Sequence, residues 1–328
     1  MPALRFFDLY AANPSAIQAE LAAGLLATQA HTSPKYLYDA LGSRLFDAIT
    51  ELPEYYPTRT EAGIFTAQRD ALAHTLPANA CMVDLGAGSC AKASSLFAAV
   101  KPSQYIAIDI SADYLRGVLS GLAEQHPIMR MAGVGMDFSS SLDLPAPLLA
   151  EAVQRPIAAF YPGSSIGNFA PDEALAFLQR VQRLCAKGQP GGGLLIGVDL
   201  VKAIDVLEPA YDDPLGVTGA FNLNMLRHIN TLLGSNFDVR DWQHVAFFNT
   251  ELSRIEMHLQ AKQATSVQWT LHSKPYQRAF AKGERIHTEN SYKWTVEKFS
   301  AMLNAAGFST TQAWTDERGY FAVFWAGS

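Results

Sequence analysis

The chain has 328 residues, of which 49% are hydrophobic and 17% are charged, so it holds enough apolar material for one elaborated domain or two. Its formal net charge is −6 and it contains no block of Lys and Arg, which argues against nucleic acid or an anionic membrane surface as a partner. No apolar run approaches the length of a bilayer span, so we expect no membrane contact.

Cysteine usage indicates a reducing compartment. The chain has three cysteines, an odd number, and none of them forms a C-x-x-C motif. The N-terminal residues lack the basic-then-apolar pattern of a secretory signal. We therefore expect a cytoplasmic protein with free thiols. The eight histidines are scattered along the chain, so no metal site is predicted.

The N-terminal segment combines a predicted helix with a group of tyrosines. Apolar residues recur near helical spacing over residues 14–30. Four tyrosines follow between residues 36 and 56, and prolines fix the backbone near two of them. Because tyrosine offers apolar area and one hydroxyl, these side chains suit the wall of a ligand pocket and the edge of a core equally.

The most informative stretch is a short apolar run, residues 80–85, that ends at Gly86 and Gly88. Such a run is typical of a buried parallel strand, and the glycines allow a tight turn close to a ligand. A helix is predicted next over residues 91–100, followed by a strand over residues 104–109 whose terminal Asp109 suits a ribose hydroxyl pair. The pattern leaves open a NAD(P) site, an S-adenosylmethionine site and a glycine turn without a ligand.

Polar residues also follow the next predicted strands. Asp137 and Phe138 come after a third strand, where the acid and the ring suit an adenine, although a capped turn fits as well. Asn168 ends a glycine- and serine-rich segment after a fourth strand, near residues 156–161, and is either a ligand contact or a turn residue. The carboxyl ends of parallel strands are where ligands bind in such sheets.

The alternation of strands and helices lapses after a fifth strand at residues 193–201. A helix over residues 217–233 and three strands are predicted in the following insertion. The sheet then resumes, and a short turn at residues 316–319 requires its last two strands to be antiparallel. This ending is usual for class I methyltransferases and not for NAD-binding sheets, which favours S-adenosylmethionine. We predict an α/β fold: a Rossmann-like methyltransferase sheet (62–201 and 287–328) and a smaller α+β substrate-binding lobe (1–61 and 202–286).

Several segments resemble the histidine-specific Nα-methyltransferases of ergothioneine biosynthesis. The matching segments are LPEYYPTRTE at residues 52–61, GSSIGNF at 163–169, YDD at 211–213, FNLN at 221–224, RIEMHL at 254–259 and TENSYK at 288–293. The resemblance implies S-adenosylmethionine-dependent trimethylation of the α-amine of L-histidine to hercynine. It also implies a Rossmann-like domain with a separate substrate lobe. We expect a monomer that acts on this small molecule.

The resemblance also implies roles for individual residues. Gly86, Gly88, Lys92, Asp109, Asp137 and Phe138 would hold the cofactor. Tyr55, Asn168 and Tyr211 would hold the amine and carboxylate of histidine, and Tyr38 would touch the amine. Glu289 and Ser291 would bind the imidazole, with Met257 beside it. Tyr38 and Tyr55 are the expected catalytic residues, and Cys90 stands where methyltransferase loops commonly have a third glycine.

Three other functions compete with this interpretation. A methyltransferase for another aromatic amino acid, such as tryptophan, would keep the fold and cofactor, but Glu289 and Met257 argue against it. A NAD(P) oxidoreductase conflicts with the predicted terminal hairpin. A non-catalytic module that binds an amino acid or an adenosyl ligand would need no turnover, and an activity assay separates it from the enzymes.

Overall fold

The computed structural model describes residues 4–10 and 14–328. These residues form two compact units. The first unit contains residues 4–10, Pro57–Val201 and Lys293–Ser328. The second unit contains residues 14–56 and Lys202–Tyr292.

The described residues form thirteen strands, numbered here in chain order. They are β1 (Arg5–Asp8), β2 (Cys81–Leu85), β3 (Gln104–Asp109), β4 (Arg130–Gly135), β5 (Ile157–Tyr161), β6 (Gly193–Asp199), β7 (Trp242–Asn249), β8 (Arg254–Ala261), β9 (Thr265–Leu271), β10 (Lys274–Phe280), β11 (Arg285–Tyr292), β12 (Thr310–Thr315) and β13 (Phe321–Gly327).

The same residues form eleven α-helices. They are α1 (Pro14–Leu26), α2 (Ala40–Thr50), α3 (Tyr56–Ala67), α4 (Arg69–Thr75), α5 (Ala91–Val100), α6 (Ala112–Gln125), α7 (Ala146–Ala152), α8 (Pro171–Cys185), α9 (Ile204–Leu207), α10 (Val217–Leu233) and α11 (Val296–Ala305). Three short 3₁₀ helices lie at Pro34–Leu37, Ser165–Asn168 and Val239–Asp241. None of the helices in the described residues is long and apolar enough to cross a membrane.

The first unit is built on one eight-stranded sheet with the order β1-β4-β3-β2-β5-β6-β13-β12. The strands from β1 to β6 pair in parallel, while β13 pairs antiparallel with both β6 and β12. The predicted α/β fold with a terminal antiparallel hairpin is therefore confirmed. Apolar strands are expected in such a sheet because both faces are covered, and every residue of β2, β5 and β6 is buried.

The second unit contains two small antiparallel sheets and three of the longer helices. Strands β11, β8 and β7 form one sheet in that order, and β9 and β10 form a hairpin. The helix α10 covers the residues predicted for it and packs against α1, α2 and β7. Asp39 caps α2 by accepting a hydrogen bond from the Gly42 amide at 2.7 Å, and the Asn224 side chain also donates to it, which ties α2 to α10.

The boundaries of the two units differ from the sequence prediction at three places, one of which is residues 57–61, which belong to the first unit. Residues 4–10 belong to the first unit because β1 adds to the sheet edge beside β4. Residues 287–292 belong to the second unit because β11 pairs with β8. The assignment of the cofactor to one unit and of the substrate to the other stays a prediction.

Candidate functional site

The turn between β2 and α5 has the geometry that its glycines predict. Gly86 and Gly88 have φ angles of 72° and 49°, in the region that favours glycine. The amides of Gly86 and Ala87 donate to the Ile108 carbonyl at 2.9 and 3.0 Å. The Gly88 amide donates to the Asp109 carboxylate at 2.9 Å. The turn is therefore tied to the end of β3, and Gly88 and Asp109 are adjacent as the cofactor prediction requires.

Cys90 holds the left-handed conformation where a third glycine was expected. Its φ is 56° and its side chain is buried. Burial raises the pKa of the thiol to about 12, so it stays protonated at neutral pH. Beneath the same turn the Tyr105 hydroxyl donates to Asp84 at 2.6 Å, and burial raises the pKa of that carboxyl to about 7. A buried, hydrogen-bonded pair, Tyr105 and Asp84, therefore lies next to Cys90 in this turn.

Asp137 and Phe138 follow β4 at the same edge of the sheet. The Phe138 ring packs against Tyr161, with centroids 5.8 Å apart. A Cβ built on Gly86 would lie 3.5 Å from the Phe138 ring, so this ring lies directly beside the glycine turn. Asp137 accepts a hydrogen bond from the Ser139 amide at 3.0 Å. The fold thus brings the ring of Phe138 to the glycine turn that is hydrogen-bonded to Asp109.

Lys92 lies in a network that the sequence analysis did not anticipate. Its ammonium is 2.7 Å from Glu61 Oε2, and the Glu61 side chain is buried. The other oxygen of Glu61 accepts a hydrogen bond from the Gly163 amide at 2.8 Å. Glu61 therefore joins α3, α5 and the turn after β5. Asn168 lies in the next short helix along the chain, at Ser165–Asn168.

In the second unit, the three predicted site tyrosines belong to one aromatic cluster. Tyr38 packs edge-on against Phe46 and Phe221, with centroids 5.7 and 5.5 Å away. Phe46 packs in turn against Tyr55 at 6.1 Å. Tyr55 also contacts Tyr211 at 6.2 Å. The cluster thereby connects Tyr38 and Tyr55, from the N-terminal segment, with Tyr211 from the insertion.

The strands β8 and β11 add the predicted imidazole contacts to the same unit. Glu289 lies opposite Met257 in the antiparallel ladder. The side chains of Glu289, Ser291 and Met257 are all buried, with 7%, 4% and 1% of their areas exposed. The Ser291 and Tyr211 hydroxyls are hydrogen-bonded at 2.8 Å. Ring contacts, one hydrogen bond and strand pairing therefore connect the six predicted substrate residues that fall in this unit: Tyr38, Tyr55, Tyr211, Met257, Glu289 and Ser291.

A buried histidine and asparagine hold the backbone of Tyr211. His244 Nε2 donates to the Tyr211 carbonyl at 2.8 Å, and its Nδ1 accepts from the Asn222 amide group at 2.9 Å. Burial lowers the pKa of His244, which favours the neutral ring with one nitrogen as donor and one as acceptor. Asn222 belongs to the FNLN segment, but nothing in the sequence indicated that it would contact His244.

Comparison with known proteins identifies the family of the chain. A family model described as "Histidine-specific methyltransferase, SAM-dependent" matches residues 17–328. The histidine N-alpha-methyltransferase of Mycolicibacterium smegmatis is 38% identical over 312 residues, which cover 94% of each chain. The protein of the same name from Mycobacterium tuberculosis is 36% identical and also covers 94% of each chain.

One fungal relative is named after a biosynthetic pathway. Ergothioneine biosynthesis protein 1 of Neurospora crassa is 29% identical over 291 residues, which cover 85% of this chain and 31% of that protein. The resemblance inferred from the sequence motifs is confirmed by the family match. The chain therefore belongs to the family of histidine-specific, S-adenosylmethionine-dependent methyltransferases.

Proposed function

We propose that this enzyme transfers three methyl groups from S-adenosylmethionine to the α-amine of free L-histidine, giving hercynine as a step in ergothioneine biosynthesis. The names of its bacterial and fungal relatives support this substrate and pathway. The observation that carries the proposal is the buried carboxylate of Glu289, beside Met257 and two residues from the Ser291–Tyr211 pair. We further propose that the enzyme works as a cytoplasmic monomer.

The first unit offers groups that fit the cofactor. Asp109 accepts hydrogen bonds from the Gly88 and Ser111 amides at 2.9 Å each, which fixes a carboxylate that has further lone pairs for ribose hydroxyls. The Phe138 ring supplies an apolar face for adenine, with Asp137 as acceptor for its amine. Lys92 supplies a cation for the methionine carboxylate. When bound, S-adenosylmethionine supplies an electrophilic sulfonium methyl group.

Recognition of the imidazole is assigned to the second unit. A buried carboxylate is a strong hydrogen-bond acceptor, and an imidazole N–H is a donor of suitable chemistry. The Ser291 hydroxyl can serve the second ring nitrogen because it both donates and accepts. A site built this way penalises side chains that lack the donor, since the carboxylate would be left buried without its ligand partner.

The amine is assigned to the tyrosine cluster. Methyl transfer needs little covalent help, so alignment of a neutral amine with the methyl group supplies much of the rate. The amine must first lose a proton, and we propose a water molecule or a tyrosine hydroxyl as the acceptor. The rings of Tyr38 and Tyr55 would then stabilise the growing ammonium, because the face of an aromatic ring attracts a methylated cation.

A stoichiometric assay tests the proposal. The enzyme is incubated with excess S-adenosylmethionine and limiting L-histidine, and S-adenosylhomocysteine is counted per histidine consumed. The proposal predicts three equivalents and a trimethylated product. Nα-acetylhistidine, whose amine is blocked, serves as the control and is expected to remain unmodified. Methylation of an imidazole nitrogen, or of the acetylated control, would contradict the assignment of the α-amine.

A further inference from the structure

The pairing of β8 with β11 contains one irregularity. His287 lies opposite His258, but the next residue pair is Glu289 opposite Met257. Thr288 is therefore an extra residue on β11 that has no partner of its own on β8. An insertion of this kind is a β-bulge, and bulges redirect the side chains that follow them.

The bulge changes the face on which the later residues of β11 lie. Residues directly opposite in an antiparallel pair share a face, so Glu289 lies on the face of Met257. Asn290 lies opposite Glu256, on the other face. The contacts on that other face agree, because His287 Nε2 is 2.8 Å from Asn290 Oδ1. Residues 287 and 290 thus share one face, which a regular strand with its period of two does not allow.

A regular strand would place the predicted specificity residues on the wrong face. Without the bulge, the pairing of His287 with His258 would continue with Thr288 opposite Met257 and Glu289 opposite Glu256. Glu289 would then lie on the same face as Glu256. No carboxylate would lie beside Met257 to accept a hydrogen bond from the imidazole of the substrate. A shift of one residue moves every later side chain to the opposite face.

The side chain of Thr288 is hydrogen-bonded across the bulge to the neighbouring strand. It is fully buried, with 0% of its area exposed. Its Oγ1 donates to the Met257 carbonyl at 3.0 Å. This hydrogen bond joins the extra residue to the backbone of the residue that lies opposite Glu289. The hydroxyl therefore fixes the spacing between the two side chains, Met257 and Glu289, that are assigned to the imidazole.

We propose that Thr288 is a positioning residue for side-chain selectivity: its hydroxyl holds the bulge that turns Glu289 and Ser291 to the face of Met257. The inference rests on the proposed function, because it takes histidine as the ligand of that face. Thr288 itself need not touch the substrate.

Replacement of the hydroxyl tests the inference. Thr288→Val keeps the shape of the side chain and removes the donor, while Thr288→Ser keeps the donor. Thr32→Val is a matched control, because Thr32 is buried in the same unit and its hydroxyl has no hydrogen-bond partner within the described residues. All three variants are compared with wild type for histidine kinetics, thermal unfolding and inhibition by β-(2-thienyl)-L-alanine, whose five-membered ring has no N–H.

The expected result separates positioning from general stability. Loss of one buried hydrogen bond corresponds to about a ten-fold effect. Thr288→Val should therefore lower kcat/KM for histidine about ten-fold, mainly through KM, with no change in the inhibition constant of the thienyl analogue. Thr288→Ser and Thr32→Val should stay within about two-fold of wild type. In a Glu289→Gln background, Thr288→Val should have little further effect, because both changes act on the same contact.

Three outcomes would overturn this inference and leave the proposed function in place. The first is an active Thr288→Val enzyme with unchanged KM for histidine, and the second is an equal loss for histidine and the thienyl analogue. A Thr288→Ser enzyme as poor as Thr288→Val would likewise show that the hydroxyl is not the relevant group. A wild-type enzyme with no activity on histidine would overturn the proposed function and this inference with it.

Discussion

Replacement of Glu289 is the perturbation that examines substrate recognition most closely. The carboxylate has 7% of its area exposed and lies opposite Met257, so water cannot easily replace a lost ligand contact. Glu289→Gln keeps the shape and one acceptor oxygen but removes the charge. Glu289→Ala removes the acceptor and leaves the imidazole N–H without a partner in a buried site.

The magnitudes follow from hydrogen-bond energetics. A hydrogen bond to a charged group contributes about 1.5–3 kcal/mol, so Glu289→Gln should lower kcat/KM for histidine by about 10- to 100-fold. A buried partner left unpaired costs about 2–5 kcal/mol, so Glu289→Ala should lower kcat/KM by about 30- to 4,000-fold. The same change removes the desolvated charge that excludes apolar rings, so phenylalanine and tryptophan should become better substrates.

Steady-state formation of S-adenosylhomocysteine measures both effects. Glu256→Gln is the matched control, because Glu256 lies on the neighbouring strand with its side chain on the opposite face of the sheet. Glu256 pairs with Arg254 at 2.7 Å and with His258 at 3.0 Å, so its loss should lower stability and leave the KM for histidine within about two-fold. Unchanged histidine kinetics in Glu289→Ala, or equal losses in Glu289→Ala and Glu256→Gln, would refute the reasoning.

Three further predictions concern the cofactor, the amine and acid stability. Lys92→Met should weaken S-adenosylmethionine binding about ten-fold or more in calorimetry and leave histidine binding unchanged, whereas equal losses would contradict a cofactor role. Tyr55→Phe should weaken histidine binding but spare the trimethylated product, and equal losses for the two ligands would exclude the hydroxyl contact. Burial lowers the pKa values of His244, His258 and His287, that of His258 to about 4, so these rings hold a proton less strongly in the folded state than in the unfolded chain. The unfolded chain takes up these protons from about pH 6.5 downward, so the free energy of unfolding in urea should fall between about pH 6.5 and 4, and less steeply in His258→Gln.

The sheet and its cofactor turn could be predicted because their signals are local. The apolar run, the turn at Gly86 and Gly88, the helix and the acid at Asp109 follow one another within thirty residues. The antiparallel hairpin at the end could be predicted because its turn is too short for a crossover. The structure confirms both features.

The strands β10 and β11 escaped prediction for different physical reasons. The two-residue turn between β9 and β10 consists of His272 and Ser273, with φ angles of 50° and 63°. Such a turn usually contains glycine or asparagine, and neither is present here. In β11 the bulge at Thr288 breaks the alternation that identifies a strand, so residues 287–292 were assigned to the other unit.

The supporting partners of the site depend on contacts between distant segments. Glu61 meets Lys92 across 31 positions of the chain, and His244 meets the Tyr211 carbonyl across 33. No spacing rule connects such residues. Once the structure shows that Glu61, at the end of the LPEYYPTRTE segment, is buried, a cationic partner is expected for it. Asp109, Asp137, Phe138 and Asn168 were indicated by their positions after predicted strands, whereas the candidate residues for the imidazole came from the family resemblance alone. All these roles stay predictions.

The most direct test of histidine methylation offers the enzyme a choice of substrates. Wild-type enzyme is incubated with S-adenosylmethionine and an equimolar mixture of the twenty amino acids, and the products are identified by mass spectrometry. The account predicts a mass gain of three methyl groups on histidine and on no other amino acid. Methylation of a different amino acid would keep the fold and cofactor but contradict the pocket assigned to Glu289. The absence of any methylated amino acid would contradict the proposed reaction.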